Sequence, residues 1–213
     1  MKRNGIIGFS LITLLISSCN FKKNSDNIQS SPDTTNTPLN QTNDVNIQPN
    51  DSSLIVQFNQ FYRALVTKDN KTINQFIIPE IGFTIIYSEG AMPQVTNTND
   101  IINFTTGSDK SLYEIVQFPS INLTFGDLPK ITCEGTKIYE REGAFISNKQ
   151  NIFLEQRLWE YADFNESEKK LFTQWAKQIT HTVLITGNGY YGIQFIEGKL
   201  KVLFMDFRIP CSA

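Results

Sequence analysis

Between Asn20 and Asn50 the chain offers almost nothing to bury, and that confines any fold to the residues beyond Asn50. The stretch is rich in Asn, Ser, Thr, Asp and Pro, and no aromatic residue stands between Phe21 and Phe58. Such a composition cannot bury enough apolar area to offset the entropy of ordering. Residues 19–50 are therefore expected to form a disordered tether, whose roughly 30 residues would reach about 30 Å as a coil. What remains, residues 51–213, suits a single domain with one core.

The amino terminus reads as an address. Lys2 and Arg3 precede a mostly apolar run over residues 6–16, too short for a membrane span of roughly 20 residues but right for a secretory signal peptide. Leu15-Ile16-Ser17-Ser18-Cys19 resembles a bacterial lipobox. The resemblance implies a signal peptide over 1–18, cleavage after Ser18, and a diacylglycerol on Cys19 that anchors the mature chain to a membrane. Asn20 stands where an Asp often retains lipoproteins at the inner membrane, so the expected address is the outer membrane of the cell envelope, with either face open. Asp33-Thr34-Thr35 resembles a short glycosylation motif of Bacteroidetes envelope proteins, although an unmodified linker is the default reading.

Charge and cysteine use narrow the domain further. The chain has 19 basic and 21 acidic residues; without Lys2 and Arg3 the basic count falls to 17. No basic patch emerges, so nucleic acid is not an expected partner. With Cys19 lipidated, Cys133 and Cys211 are left in an oxidising compartment, where a disulfide between them is expected to tie down the end of the chain.

Periodicity supplies the elements. Asp51-Ser52-Ser53 offers an N-cap to a helix with Leu54, Phe58, Phe61 and Leu65 on one stripe. Asp69 or Asn70 caps a second short helix, stopped at Pro79, and residues 82–87 read as a strand. Residues 89–100 read as a turn-rich return, with a small helix beginning at Asn99 or Asp100. Residues 120–125 and 136–146 are strand candidates, the second bent at Gly143. Asn165 and Glu168 form a capping box for a helix burying Leu171, Phe172, Trp175, Ala176 and Ile179. Residues 181–186, 190–196 and 199–209 read as an antiparallel meander turned at Gly187-Asn188-Gly189 and Glu197-Gly198.

This order, two helices, a strand, a small helix and closing antiparallel strands, resembles the NTF2-like (nuclear transport factor 2-like) α+β cone, and specifically envelope lipoproteins of Bacteroidetes. Residues 58–77 would supply the opening helix pair and residues 189–213 the closing hairpin with its Pro-Cys ending. The resemblance implies N-terminal helices packed on a curved antiparallel sheet, with the Asn165-capped helix as an insertion. It also implies a cavity able to hold a small apolar ligand, and in some members acid-base chemistry there.

In the final strand, strict alternation puts Leu203, Met205, Phe207 and Ile209 on one face and Val202, Phe204, Asp206 and Arg208 on the other. In the strand before it, Tyr191, Ile193 and Phe195 alternate against Tyr190, Gly192, Gln194 and Ile196. If the mixed faces line a cone, Asp206, Arg208, Tyr190 and Gln194 surround a partly polar pocket. Catalytic residues are not identified. Asp206 as a base with a tyrosine donor would serve an isomerase or dehydratase, against the plainer reading of Asp206 and Arg208 near a sheet edge, facing water or pairing weakly with each other. His181, the only histidine, reads as a helix-end polar residue, and Glu140-Arg141-Glu142 as a solvated run. No metal site, phosphate loop or cofactor is implied. Trp159 and Tyr161 could stack on a sugar, although core packing is the simpler role. The leading expectation is a non-catalytic, lipid-anchored envelope protein binding a small apolar or amphiphilic molecule or an envelope protein, with homodimerisation through the sheet as a further mode. An NTF2-like enzyme and a glycan-binding accessory are the alternatives.

Overall fold

Helix α1, Pro49–Thr67, carries the expected stripe: Leu54, Phe58, Phe61 and Leu65 are buried together with Tyr62 and Ala64. It begins two residues before the capping position read from the sequence. The computed structural model describes residues 49–134 and 137–211. The signal peptide, Cys19 and nearly all of the tether lie outside them. Among the described residues no helix is long and apolar enough to cross a membrane.

The chain next forms α2, Asn70–Ile73, capped by the Asp69 side chain on the Thr72 amide, and continues as a 3₁₀ turn, Asn74–Phe76. Strands β1, Phe83–Ser88, and β2, Pro93–Thr98, pair as an antiparallel hairpin. Asp100 caps a 3₁₀ turn at Ile101–Asn103. A Ser111/Glu114 capping box starts α3, Leu112–Ile115. Four short strands come next: β3 (Leu123–Phe125), β4 (Ile131–Glu134), β5 (Lys137–Tyr139) and β6 (Ala144–Ser147). Helix α4, Ile152–Gln156, a 3₁₀ turn at Leu158–Tyr161, and α5, Glu166–Ala176, lead to the closing strands β7 (His181–Ile185), β8 (Gly189–Ile196) and β9 (Lys199–Asp206). In α5 the expected box is present: Asn165 accepts from the Ser167 and Glu168 amides, and Glu168 reaches back to the Asn165 amide.

The fold is mixed α+β, dominated by a seven-stranded, mostly antiparallel sheet in the order β2-β1-β9-β8-β7-β6-β3. Only β1–β9 and β3–β6 run parallel. Strands β4 and β5 form a separate two-stranded sheet. Helical layers cover both faces of the large sheet. On one, α1 seats Phe58, Phe61 and Tyr62 around Tyr191, with centroids 5.4, 6.2 and 6.4 Å away and near-perpendicular planes. Edge-to-face contacts of this kind add about 0.5–1.5 kcal/mol each to the area they bury. On the other, α4, α5 and the intervening 3₁₀ turn pack Phe153, Trp159 and Phe172 against Phe204, Leu203 and Leu184. Both faces of the large sheet are thus covered within the chain, and its edge strands are β2 and β3.

One irregularity sets the two faces. Between β8 and β9 the register steps from Ile193↔Val202 to Gly192↔Phe204, so Leu203 and Phe204 both oppose Gly192 in a β-bulge. Val202 therefore packs with Met205 and Phe207 beneath α1, while Leu203 joins Phe204 on the opposite face. The strict alternation expected from the sequence exchanges Val202 and Leu203; the extra residue is the reason. Gly192, opposite the bulge, makes room for the side chains that cover it: a Cβ there would lie 2.6 Å from Ile179 Cδ1 and 2.9 Å from the Phe153 ring.

Strand β9 ends at Asp206, three residues before its expected limit, and Cys211 is bonded to Cys133 of β4 with Cα atoms 5.7 Å apart. This bond joins the small sheet to the segment beyond β9 across 78 positions. Loop-closure entropy on that scale is worth about 4–5 kcal/mol in the unfolded chain. Reduction, or the paired Cys133→Ser/Cys211→Ser change, is expected to lower the unfolding free energy by up to that amount. Guanidinium denaturation with and without reductant measures it, and wild-type stability should be insensitive to reductant only if the bond is absent.

Candidate functional site

The β1–β2 turn, the end of β9 and the start of β8 meet at one end of the sheet, where β4 and the post-β9 segment wall in a cleft of about 910 Å³. Ala91, Pro93, Ile131, Ile209 and Pro210 give it an apolar rim, and Ser88, Gln156, Tyr190, Asp206 and Arg208 supply its polar groups. That volume is in the range of sites for drug-sized ligands. Three of the four residues expected to share a pocket, Tyr190, Asp206 and Arg208, line it. Gln194 does not: it lies towards the far end of β8, where its amide donates to Gln178 Oε1 at 3.2 Å. Tyr190 and Gln194 do alternate onto one side of the strand, but four residues of extended backbone separate them by roughly 13 Å, too far to share this cleft.

Asp206 is 2% exposed, so it does not face water; it pairs with Arg208, as the plainer expectation allowed. Arg208 Nε donates to Asp206 Oδ1 at 2.9 Å, Nη2 donates to Oδ2 at 2.8 Å, and the Arg208 amide donates to Oδ1 at 3.1 Å. Arg208 Nη2 also donates to Gln156 Oε1 at 3.0 Å, tying the pair to α4. The pair forms because β9 stops at Asp206: the backbone turns, and Arg208 folds back over its neighbour instead of continuing outward. Gly189 permits the close approach of β8, since a Cβ there would meet the Asp206 carbonyl oxygen at 2.3 Å. Tyr190 stacks edge-on against Tyr139 of β5, centroids 6.5 Å apart. Burial, foremost, raises both phenols above the ordinary tyrosine range, and Tyr139 is raised further by Tyr190 and Asp206.

This geometry restrains chemistry. A general base needs an oxygen aimed at a substrate proton, and both Asp206 oxygens are engaged by one guanidinium. His181 stands at the start of β7, opposite Ile193 and away from the cleft, with Nδ1 2.9 Å from Thr180 Oγ1. Burial lowers its pKa, with Asp51 opposing. Trp159 is wholly buried and donates from Nε1 to Thr173 Oγ1 at 3.2 Å, whereas Tyr161 is 65% exposed. They do not form a shared stacking platform. In the charged run, Arg141 spans a 3.9 Å exposed pair with Glu140, lies 5.0 Å over the Phe145 ring and donates to the Asp127 carbonyl. Among the described residues no group of three or more His, Cys, Asp or Glu could hold a metal ion.

Sequence reasoning missed Ser88, Ala91, Pro93, Ile131 and Gln156 as lining residues. They come from turns, an edge strand and a five-residue helix, whose convergence has no local pattern; the Pro-Cys ending beside Asp206 and Arg208 was the one available hint.

Removing one member of a buried ion pair leaves its partner uncompensated, at a cost of about 3–5 kcal/mol, whereas replacing both with apolar residues is often neutral. Arg208 is partly exposed, so Arg208→Leu is expected to cost about 3 kcal/mol at the low end of that range. Asp206→Leu/Arg208→Leu should recover most of it. Urea unfolding of the wild type, Arg208→Leu, Asp206→Leu and the double variant closes the cycle, and a double variant as unstable as Arg208→Leu would show the pair is not the source. Comparison of the chain with family models, with curated proteins and with solved structures finds no match.

Proposed function

We propose that the chain is a lipid-anchored protein of the bacterial cell envelope, borne on the outer membrane, whose domain binds a small amphiphilic molecule without transforming it. The observation that carries the ligand-binding reading is the cleft: an apolar rim of Ala91, Pro93, Ile131, Ile209 and Pro210 above a fixed polar floor of Tyr190, Asp206 and Arg208. A site of that polarity suits a molecule with one apolar and one hydrogen-bonding end. The non-catalytic reading is supported by the two-point engagement of Asp206. The anchor is supported by Leu15-Ile16-Ser17-Ser18-Cys19 and the polar stretch behind it.

The NTF2-like cone belongs to the same proposal. It is supported by the two opening helices, the β1–β2 hairpin set parallel against β9, and the closing antiparallel meander β6 to β9. Strands β4 and β5, with α4 and α5, would be additions that build the cleft's outer wall and cover the second face of the sheet.

The anchor is tested by growing cells with radiolabelled palmitate. The full chain should take up label and sediment with membranes, and Cys19→Ser should lose both properties; a labelled serine variant would refute the assignment. The ligand is tested by thermal unfolding of the full chain in lipid nanodiscs, with octanoyl amphiphiles of neutral, anionic and cationic head. At ten times its Kd, a binding compound should raise the midpoint by roughly 3–5 °C. Ile131→Trp, which fills the cleft from an exposed position, should erase the rise. No shift with any compound, or an undiminished shift in the variant, would refute the cleft as the site.

A further inference from the structure

Resting on the cleft reading above, we infer that the site selects a neutral ligand that presents a hydrogen-bond acceptor, an ester or amide carbonyl on a short apolar body, and rejects both anions and cations. The argument starts from charge. Among the described residues, Asp206 and Arg208 are the only ionised side chains lining the cleft, and they cancel. An anion at Nη1 of Arg208 would sit beside a carboxylate's charge, and one seeking Nε and Nη2 must compete with that carboxylate, already held there at 2.9 and 2.8 Å. If it won, Asp206 would be left buried without a counter-charge, which proteins avoid strongly. A cation seeking Asp206 meets the same obstacle from the other side, because that side chain is 3% exposed and covered by the guanidinium.

Donor arithmetic then fixes what the neutral head must offer. A guanidinium has donors and no acceptor, so the group that Gln156 turns toward Arg208 Nη2 has to be its carbonyl oxygen. The Gln156 amide nitrogen then keeps its two N–H donors, on a side chain that lines the cleft. Ser88 and Tyr190 add hydroxyl groups to the same lining. The cleft's principal acceptor, the Asp206 carboxylate, is spent on Arg208. With the carboxylate engaged, the polar lining offers amide and hydroxyl donors, complementary to a carbonyl oxygen. The rim supplied by Ala91, Pro93, Ile131, Ile209 and Pro210 receives the apolar part.

The test compares three octanoyl or octyl compounds, short enough to stay monomeric at binding concentrations: monooctanoylglycerol, octanoate and octyltrimethylammonium. Isothermal titration uses the full chain in nanodiscs, with empty nanodiscs as the blank. Monooctanoylglycerol is expected to bind at least ten-fold more tightly than either ion. Gln156→Leu, at an exposed position, should weaken the glyceride at least five-fold. Asp206→Asn releases Arg208 and should invert the preference, tightening octanoate at least ten-fold. Octanoate or octyltrimethylammonium binding as tightly as the glyceride to the wild-type chain overturns the inference while leaving a ligand-binding cleft. Binding of none of the three overturns the cleft reading itself, and the inference with it.

Discussion

Strand β9 lies between β1 and β8, parallel to one and antiparallel to the other, and nearly everything else in the domain is arranged around it. Its bulge lets consecutive residues, Leu203 and Phe204, serve the same core. A regular strand would give each face every second residue; this one delivers Met205 and Phe207 to α1 and the adjacent pair Leu203–Phe204 to the α4–α5 layer. Gly192, opposite that pair, provides the hollow into which Phe153 and Ile179 fit. Where the strand ends, Asp206 and Arg208 fold onto each other and make the floor of the cleft.

The parts legible in the sequence are those whose signal is local. The α1 stripe, the Asp69 and Asp100 caps, the Asn165/Glu168 box and the two Gly-bearing hairpins each depend on residues within a few positions of one another. What escaped depends on partners far away. Strand β2 reads as a turn because Pro93 to Thr98 is polar and half exposed, as an edge strand can be when β1 supplies its pairing. The candidate over 136–146 divides into β5 and β6 because the chain turns at Glu140–Gly143, with Gly143 at φ 141°, and the halves join different sheets. Helix α4 has only five residues, below the length at which periodicity speaks, yet it supplies Gln156 to the cleft and Phe153 to the core. The bulge is invisible to any rule of alternation. For the site, the Asp206–Arg208 end of β9 was legible, and the mistake was to extend the pocket along β8 to Gln194, as an open cone would allow.

The ion pair has a double character. It stabilises little by itself, since desolvating two charges offsets most of their attraction. Its value lies in geometry: it fixes Arg208, and through Gln156 it fixes the end of α4. The Cys133–Cys211 bond does the same for the outer wall, holding β4, which lies outside the large sheet, against the segment beyond β9. Floor and wall are thus set by two cross-links of different chemistry, one polar and one covalent.

The parallel pairing of Thr84 with Phe204 also orders events in time. Strand β1 is made early, but its inner neighbour is the last strand of the sheet, so the centre cannot close until residue 206 has emerged from a ribosome or a membrane channel. Until then Phe83, Ile85 and the apolar face of α1 have no sheet to pack on, and long loops make such contacts slow to find. For a chain delivered from its amino terminus, the centre of the sheet is therefore the last part that can be completed.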